Sequence, residues 1–155
     1  IAVLEGDGPL ADETVVVGAH YDHLGLGGEG SFVPNAKEIH NGADDNASGT
    51  TALLEIARNL AGREKKPARR IVFMAFTGEE RGLIGSAWYC KEPLFPLDKT
   101  VAMLNLVMVG RLTDDKLIIQ GGDTAKEFTP LVDKLNADTL QRVGMTLETW
   151  LETQP

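Results

Sequence analysis

Apolar residues fall in short blocks along the chain, and the spacing within each block separates strands from helices. Ile1 to Leu4 and Thr14 to Ala19 are compact, β-rich runs divided by a Gly/Pro-containing turn, which predicts two strands. Ile71 to Phe76 is apolar at every position, the pattern of a strand buried on both faces. Val101 to Val107 predicts another strand and Lys116 to Gln120 a further one. Between them the period lengthens. Leu53, Leu54, Ile56, Ala57 and Leu60 lie on one face of a helix over Thr51 to Leu60, with Asn46 or Ser48 placed to cap it. Leu83 to Cys90 and Ala125 to Leu135 predict two more helices; from Asp138 onward the pattern names no element. Helices alternating with apolar strands predict an α/β fold whose largely parallel sheet is covered on both faces.

Length and charge narrow the classes. A chain of 155 residues suits a single domain, residues 1–155, able to bury roughly 68–70% of its unfolded surface. The net charge of −8 argues against a nucleic-acid partner, and the basic run Arg63 to Arg70 reads as a solvated connection with cations near a helix C-terminus. No stretch is long and apolar enough for a membrane span. The single cysteine, Cys90, excludes an internal disulfide; beside Trp88 and Tyr89 it reads as a buried, inert thiol. The chain opens directly on IAVLEG, already a strand and without a starting methionine, so the reading is of a processed or truncated domain.

In open α/β sheets, sites form outside the carboxyl ends of the strands. Three polar clusters stand at such ends: His20-Tyr-Asp-His23, Glu79-Glu80, and the turn following Val107. A fourth, Asp44-Asp45-Asn46, opens the first long helix. Gly25 to Gly30 matches G-x-G-x-x-G letter by letter, but no strand precedes it directly and Ser31-Phe-Val-Pro follows it, so it reads as a lid or connection rather than a nucleotide loop.

The other clusters suit a metal. An imidazole at His20 can face the crevice while Asp22 accepts the proton of its other ring nitrogen, fixing the tautomer. Asp44, just after Gly42, has two carboxylate oxygens and can bridge two ions. Glu79 and Glu80 are neighbours whose side chains diverge, so that one can ligate while the other serves as general base toward water. A mixed nitrogen and oxygen set fits zinc, with manganese or cobalt as alternatives. Each residue also has a plain reading: a hydrogen-bonded core histidine, a helix-N-terminal anion, a solvated acidic turn. Spacing by itself leaves both open.

The blocks VVVGAHYDHLG, IHNGADDNASGTTALLEIAR and RIVFMAFTGEERGLIGS, in this order, resemble the co-catalytic zinc aminopeptidases related to bacterial leucyl aminopeptidase, a family that includes glutamate carboxypeptidase and the transferrin-receptor ectodomain. The resemblance runs from Ile1 to about Leu112. It implies a three-layer α/β sandwich with a mostly parallel mixed sheet, and removal of N-terminal residues from peptide substrates, in many members outside the cytoplasm. Carried over residue by residue, it implies His20 as ligand of one zinc, Asp44 as the bridging ligand, Glu80 as ligand of the second zinc, Glu79 as general base and Asp22 as the group orienting His20. It also implies a cis peptide between Asp44 and Asp45. Two departures stand out. Where the family reads N-L-D-M-V-G, this sequence reads Asn105-Leu-Val-Met-Val-Gly110, so Val107 stands in place of a ligand. The family's last ligand, a histidine far downstream, has no counterpart among His20, His23 and His40. The expectation is therefore an aminopeptidase core with fewer or weaker zincs and impaired turnover. Two alternatives stay open, a catalytically inactive family fold used for binding or assembly, and a single-zinc enzyme like the glutaminyl cyclases. A sheet that stops early would also leave an edge for self-association.

Overall fold

In the computed structural model, which describes residues 1–28, 30–35, 37–112 and 118–142, the run of apolar residues beside Arg70 becomes a central strand. The strands are Ala2–Leu4 (β1), Thr14–His20 (β2), Arg70–Phe76 (β3) and Thr100–Asn105 (β4). Their order across the sheet is β1-β3-β2-β4, with β1 antiparallel to β3 and the β3–β2 and β2–β4 pairings parallel. This is the mostly parallel sheet that the alternating pattern predicts, mixed as the resemblance implies.

The first two helices are Gly49–Ala61 (α1) and Ile84–Lys91 (α2), each within two residues of its expected bounds. They give the sheet its outer layers. Val17, Ala19 and Phe73 pack with Leu53 of α1, bordered by Leu4, Ile56, Ala57, Leu60 and Leu106. On the opposite side Val16, Val72 and Met74 meet Phe76, Tyr89 of α2 and Phe95. Neighbouring positions of β2 thus feed opposite layers, as the two-residue period of a strand requires. Val72, Phe73 and Met74 are buried in succession because both faces of β3 are covered.

Cys90 differs from its expected burial. It is exposed, because α2 meets the sheet through Tyr89 and turns the next position outward. The glycine-rich segment after β2 also behaves as a connection: Gly25 pairs with His40 in an isolated antiparallel bridge, and no helix starts directly after Gly30 among the described residues.

Two compact units are present, Ile1–Asp115 and Lys116–Pro155. The first holds the sheet and every candidate site residue. In the second, the helix Phe128–Arg142 (α3) begins later and ends later than Ala125 to Leu135; Pro130 lies in its first turn, where a missing N–H costs no intrahelical bond. Of the strand expected over Lys116 to Gln120, residues 118–120 are irregular and the first two lie outside the described residues.

Candidate metal centre

The parallel strands end together. His20 pairs with Phe76 and Gly18 with Asn105, while Leu106 N–H donates to the Gly18 carbonyl at 2.8 Å and Tyr21 N–H to the Phe76 carbonyl at 3.0 Å. The three segments leaving β2, β3 and β4 therefore share one edge, and the turn before α1 closes over it.

That turn, Ala43–Ser48, is held by Asn46. Its buried carboxamide donates to the carbonyls of His20 at 3.2 Å and Leu106 at 2.9 Å, and accepts from Gly49 N–H at 3.1 Å and Met108 N–H at 3.2 Å. Of the two caps expected for α1, Asn46 is the one whose side chain reaches a helix N–H; Ser48 instead donates to the Asp44 carbonyl at 2.6 Å. Gly42 enters the turn at φ 65°, and a Cβ there would meet Asp45 O and His23 Cβ at 2.9 Å each. The chain can pass this point only without a side chain.

His20 is nearly fully buried, and its ring has two different faces. Nδ1 lies 3.1 Å from the backbone carbonyl of Asp22 and 3.8 Å from that residue's carboxylate. The carbonyl, rather than the expected carboxylate, is thus the closer partner. Because a carbonyl oxygen only accepts, this contact puts the proton of a neutral ring on Nδ1 and leaves a lone pair on Nε2. Nε2 faces Asp45 Oδ1 at 3.1 Å. The Asp22 carboxylate serves another element, accepting from Glu79 N–H at 3.3 Å.

His20, Asp45 and Glu80 form a group whose ligand atoms all lie within 4.8 Å of one another. Asp44, the expected bridging residue, points elsewhere: Oδ1 accepts from Gly110 N–H at 2.9 Å and Oδ2 lies 3.5 Å from Arg111 Nε. The displacement is one residue. Successive side chains leave this turn on different sides, and it is Asp45 that faces His20. The cis peptide is displaced likewise, joining Asp45 to Asn46 rather than Asp44 to Asp45. Nothing in two adjacent aspartates tells which will face the crevice.

Glu79 and Glu80 follow β3 in a tight loop. Gly78 has φ 67°, and Gly82 and Leu83 N–H both donate to the Glu79 carbonyl at 3.0 Å. Glu80 Oε1 lies 2.7 Å from His23 Nδ1, and the same nitrogen lies 3.9 Å from Asp45 Oδ2. His23 stood in the polar cluster after β2 without an assigned role. Its only signal in the sequence was its distance of three residues from His20.

The donor set fits a cation. Asp45 Oδ1 is buried with no hydrogen-bond partner among the described residues, and the nearby His20 nitrogen offers it a lone pair rather than a proton. Two lone pairs facing each other in a sheltered place are unfavourable unless a positive charge lies between them. A nitrogen and carboxylates in this mixture suit zinc, whose bonds to them run about 2.0–2.2 Å. Val107, two residues after β4, brings no donor. Its neighbours are fixed, Leu106 to β2 and Met108 to Asn46.

Comparison with known proteins supports zinc as the metal. The profile of Peptidase family M28 matches residues 1–150. The chain is 33% identical over 153 residues to a probable zinc metalloprotease of Pyricularia oryzae, covering 93% of this chain and 28% of that protein. It is 36% identical over 122 residues to a probable glutamate carboxypeptidase VP8 of Zea mays, covering 72% and 16%. To leucine aminopeptidase 1 of Arthroderma otae it is 32% identical over 144 residues, covering 90% and 36%. It therefore spans well under half the length of each of these curated relatives.

Proposed function

We propose, for a chain that belongs to peptidase family M28, the core of a zinc-dependent aminopeptidase acting on peptides with a free N-terminus. The observation that carries this reading is the buried Asp45 Oδ1, without a hydrogen-bond partner among the described residues, 3.1 Å from His20 Nε2, with Glu80 completing the group. Names of relatives, among them a leucine aminopeptidase and a probable zinc metalloprotease, support the same class.

His20 and Asp45 would hold one zinc, and Asp45 with Glu80 a second. Zinc, when bound, supplies Lewis acidity toward a peptide carbonyl and acidifies water. Glu79 is the general base: it takes the proton of the attacking water and returns it to the leaving amine as the C–N bond breaks. Asp22 is a positioning residue, its carbonyl setting the ring of His20 and its carboxylate holding the backbone of Glu79. Asp44 is assigned to the turn rather than to the metal.

Val107 favours slow turnover. Among the described residues after β4 none contributes a ligand, so the ion at His20 receives fewer protein donors there than the three typical of catalytic zinc. Self-association belongs to the same reading. Among the described residues β4 pairs only with β2, and Val101, Met103 and Leu104 are about half exposed. A second copy adding to that edge would cover them, and light scattering showing a monomer at high concentration would remove the idea.

The direct test is metal content after purification without chelator, together with cleavage of an unblocked and an N-acetylated peptide. Bound zinc and chelator-sensitive cleavage of the unblocked peptide alone support the assignment. A chain that binds no zinc overturns it.

A further inference from the structure

The two oxygens of Asp45 face two different imidazoles. Oδ1 is 3.1 Å from His20 Nε2, whereas Oδ2 is 3.9 Å from His23 Nδ1. Glu80 stands on the His23 side, with Oε1 2.7 Å from the same ring nitrogen. From this we infer that His23 is a metal ligand, the nitrogen donor of the ion held by Glu80, with Asp45 shared between that ion and the one at His20. The inference rests on the zinc reading above and adds a residue to it.

The surroundings support a built position. His23, Asp45 and Glu80 side chains are 21%, 33% and 18% exposed, sheltered yet open to an entering ion. His23 is seated by Gly42, whose missing Cβ leaves room for the His23 Cβ and for the backbone of Asp45. The element carrying Asp45 and the loop carrying His23 therefore fit against each other at the point where the shared carboxylate emerges. In the present arrangement the ring and Glu80 share a hydrogen. For ligation Nδ1 needs its lone pair, so in a neutral ring the proton passes through solvent to Nε2. Nδ1 and Glu80 Oε1 then both turn from each other to the same cation.

Zinc titration of the parent chain, His23→Ala and His23→Asn separates ligation from positioning. Asparagine places an amide donor near the position of Nδ1, so it can keep the hydrogen bond to Glu80 but supplies no imidazole. The expected result is at least about a 10-fold weaker zinc affinity in His23→Ala, with no recovery in His23→Asn, whose metal-free melting temperature stays near the parent's because its amide keeps the bond to Glu80. Full recovery in His23→Asn, or parent affinity in His23→Ala, overturns the proposal. The unmutated chain gives a second measurement. In long-range proton–nitrogen spectra, Nδ1 of His23 should move to the metal-bound range on adding zinc, and an unmoved resonance in zinc-loaded protein overturns the proposal. If the parent binds zinc and Asp45→Asn abolishes it while His23 variants do not matter, only the role of His23 fails. If the parent binds none, the underlying zinc reading fails with it.

Discussion

The side-chain amide of Asn46 donates to the backbone carbonyl of His20 at 3.2 Å, tying the turn that carries Asp45 to the end of the strand that carries the first imidazole. The same side chain meets Leu106, Met108 and Gly49, so one buried amide sets the relative positions of three segments. In Asn46→Ala those four backbone partners lose it in a place with little access to water. At about 1–3 kcal/mol for each unsatisfied group, offset by relaxation, a net loss of about 3 kcal/mol is expected. Urea unfolding checks this, and a loss below about 1 kcal/mol would show that the four bonds do not hold the turn.

The adjacent aspartates should separate by readout. Asp45→Asn is expected to weaken zinc binding strongly with a small effect on metal-free stability, since its Oδ1 has no hydrogen-bond donor to lose. Asp44→Asn should keep zinc and lose less than about 1 kcal/mol, because its Oδ1 still accepts from Gly110 N–H and only the pair with the exposed Arg111 is lost. Calorimetric zinc titration and thermal melts of the two variants, side by side, decide the assignment; zinc lost from Asp44→Asn and kept in Asp45→Asn would reverse it.

Glu79 and Glu80 should divide in the same manner. Glu79→Gln is expected to keep zinc while lowering peptide hydrolysis by roughly 10²–10⁴-fold. Glu80→Gln should lose metal as well as rate, because Glu80 belongs to the ligand group with His20 and Asp45. Zinc content and initial rates measured on the same preparations are sufficient. Two variants with parent metal and parent rate would make this pair a solvated turn.

Val107 offers a gain-of-function test. Val107→Asp would give the ion at His20 a third protein donor, beside Asp45. Its melting temperature should rise with zinc well beyond the rise in the parent chain. If the new carboxylate is simply placed among apolar neighbours, the variant will be less stable and indifferent to zinc.

The sequence by itself determined the layers and the location of the centre. The even burial of Val72, Phe73 and Met74 was legible as an unbroken apolar run, and Leu53, Ile56, Ala57 and Leu60 marked the inner face of α1. These follow from periodicity, which depends only on local geometry. That His20 and Glu80 meet at one sheet edge was legible too, because strand ends in a parallel sheet must converge. What tertiary structure alone decided is which neighbour in each polar cluster turns inward. The choice of Asp45 over Asp44, the carbonyl of Asp22 over its carboxylate as the nearer partner of His20, and the approach of His23 to Glu80 all depend on backbone directions in irregular turns. Those directions are set by partners distant in the chain, Asn46 with Leu106 and Met108 and Asp22 with Glu79, and no local pattern of hydrophobic and polar residues encodes them.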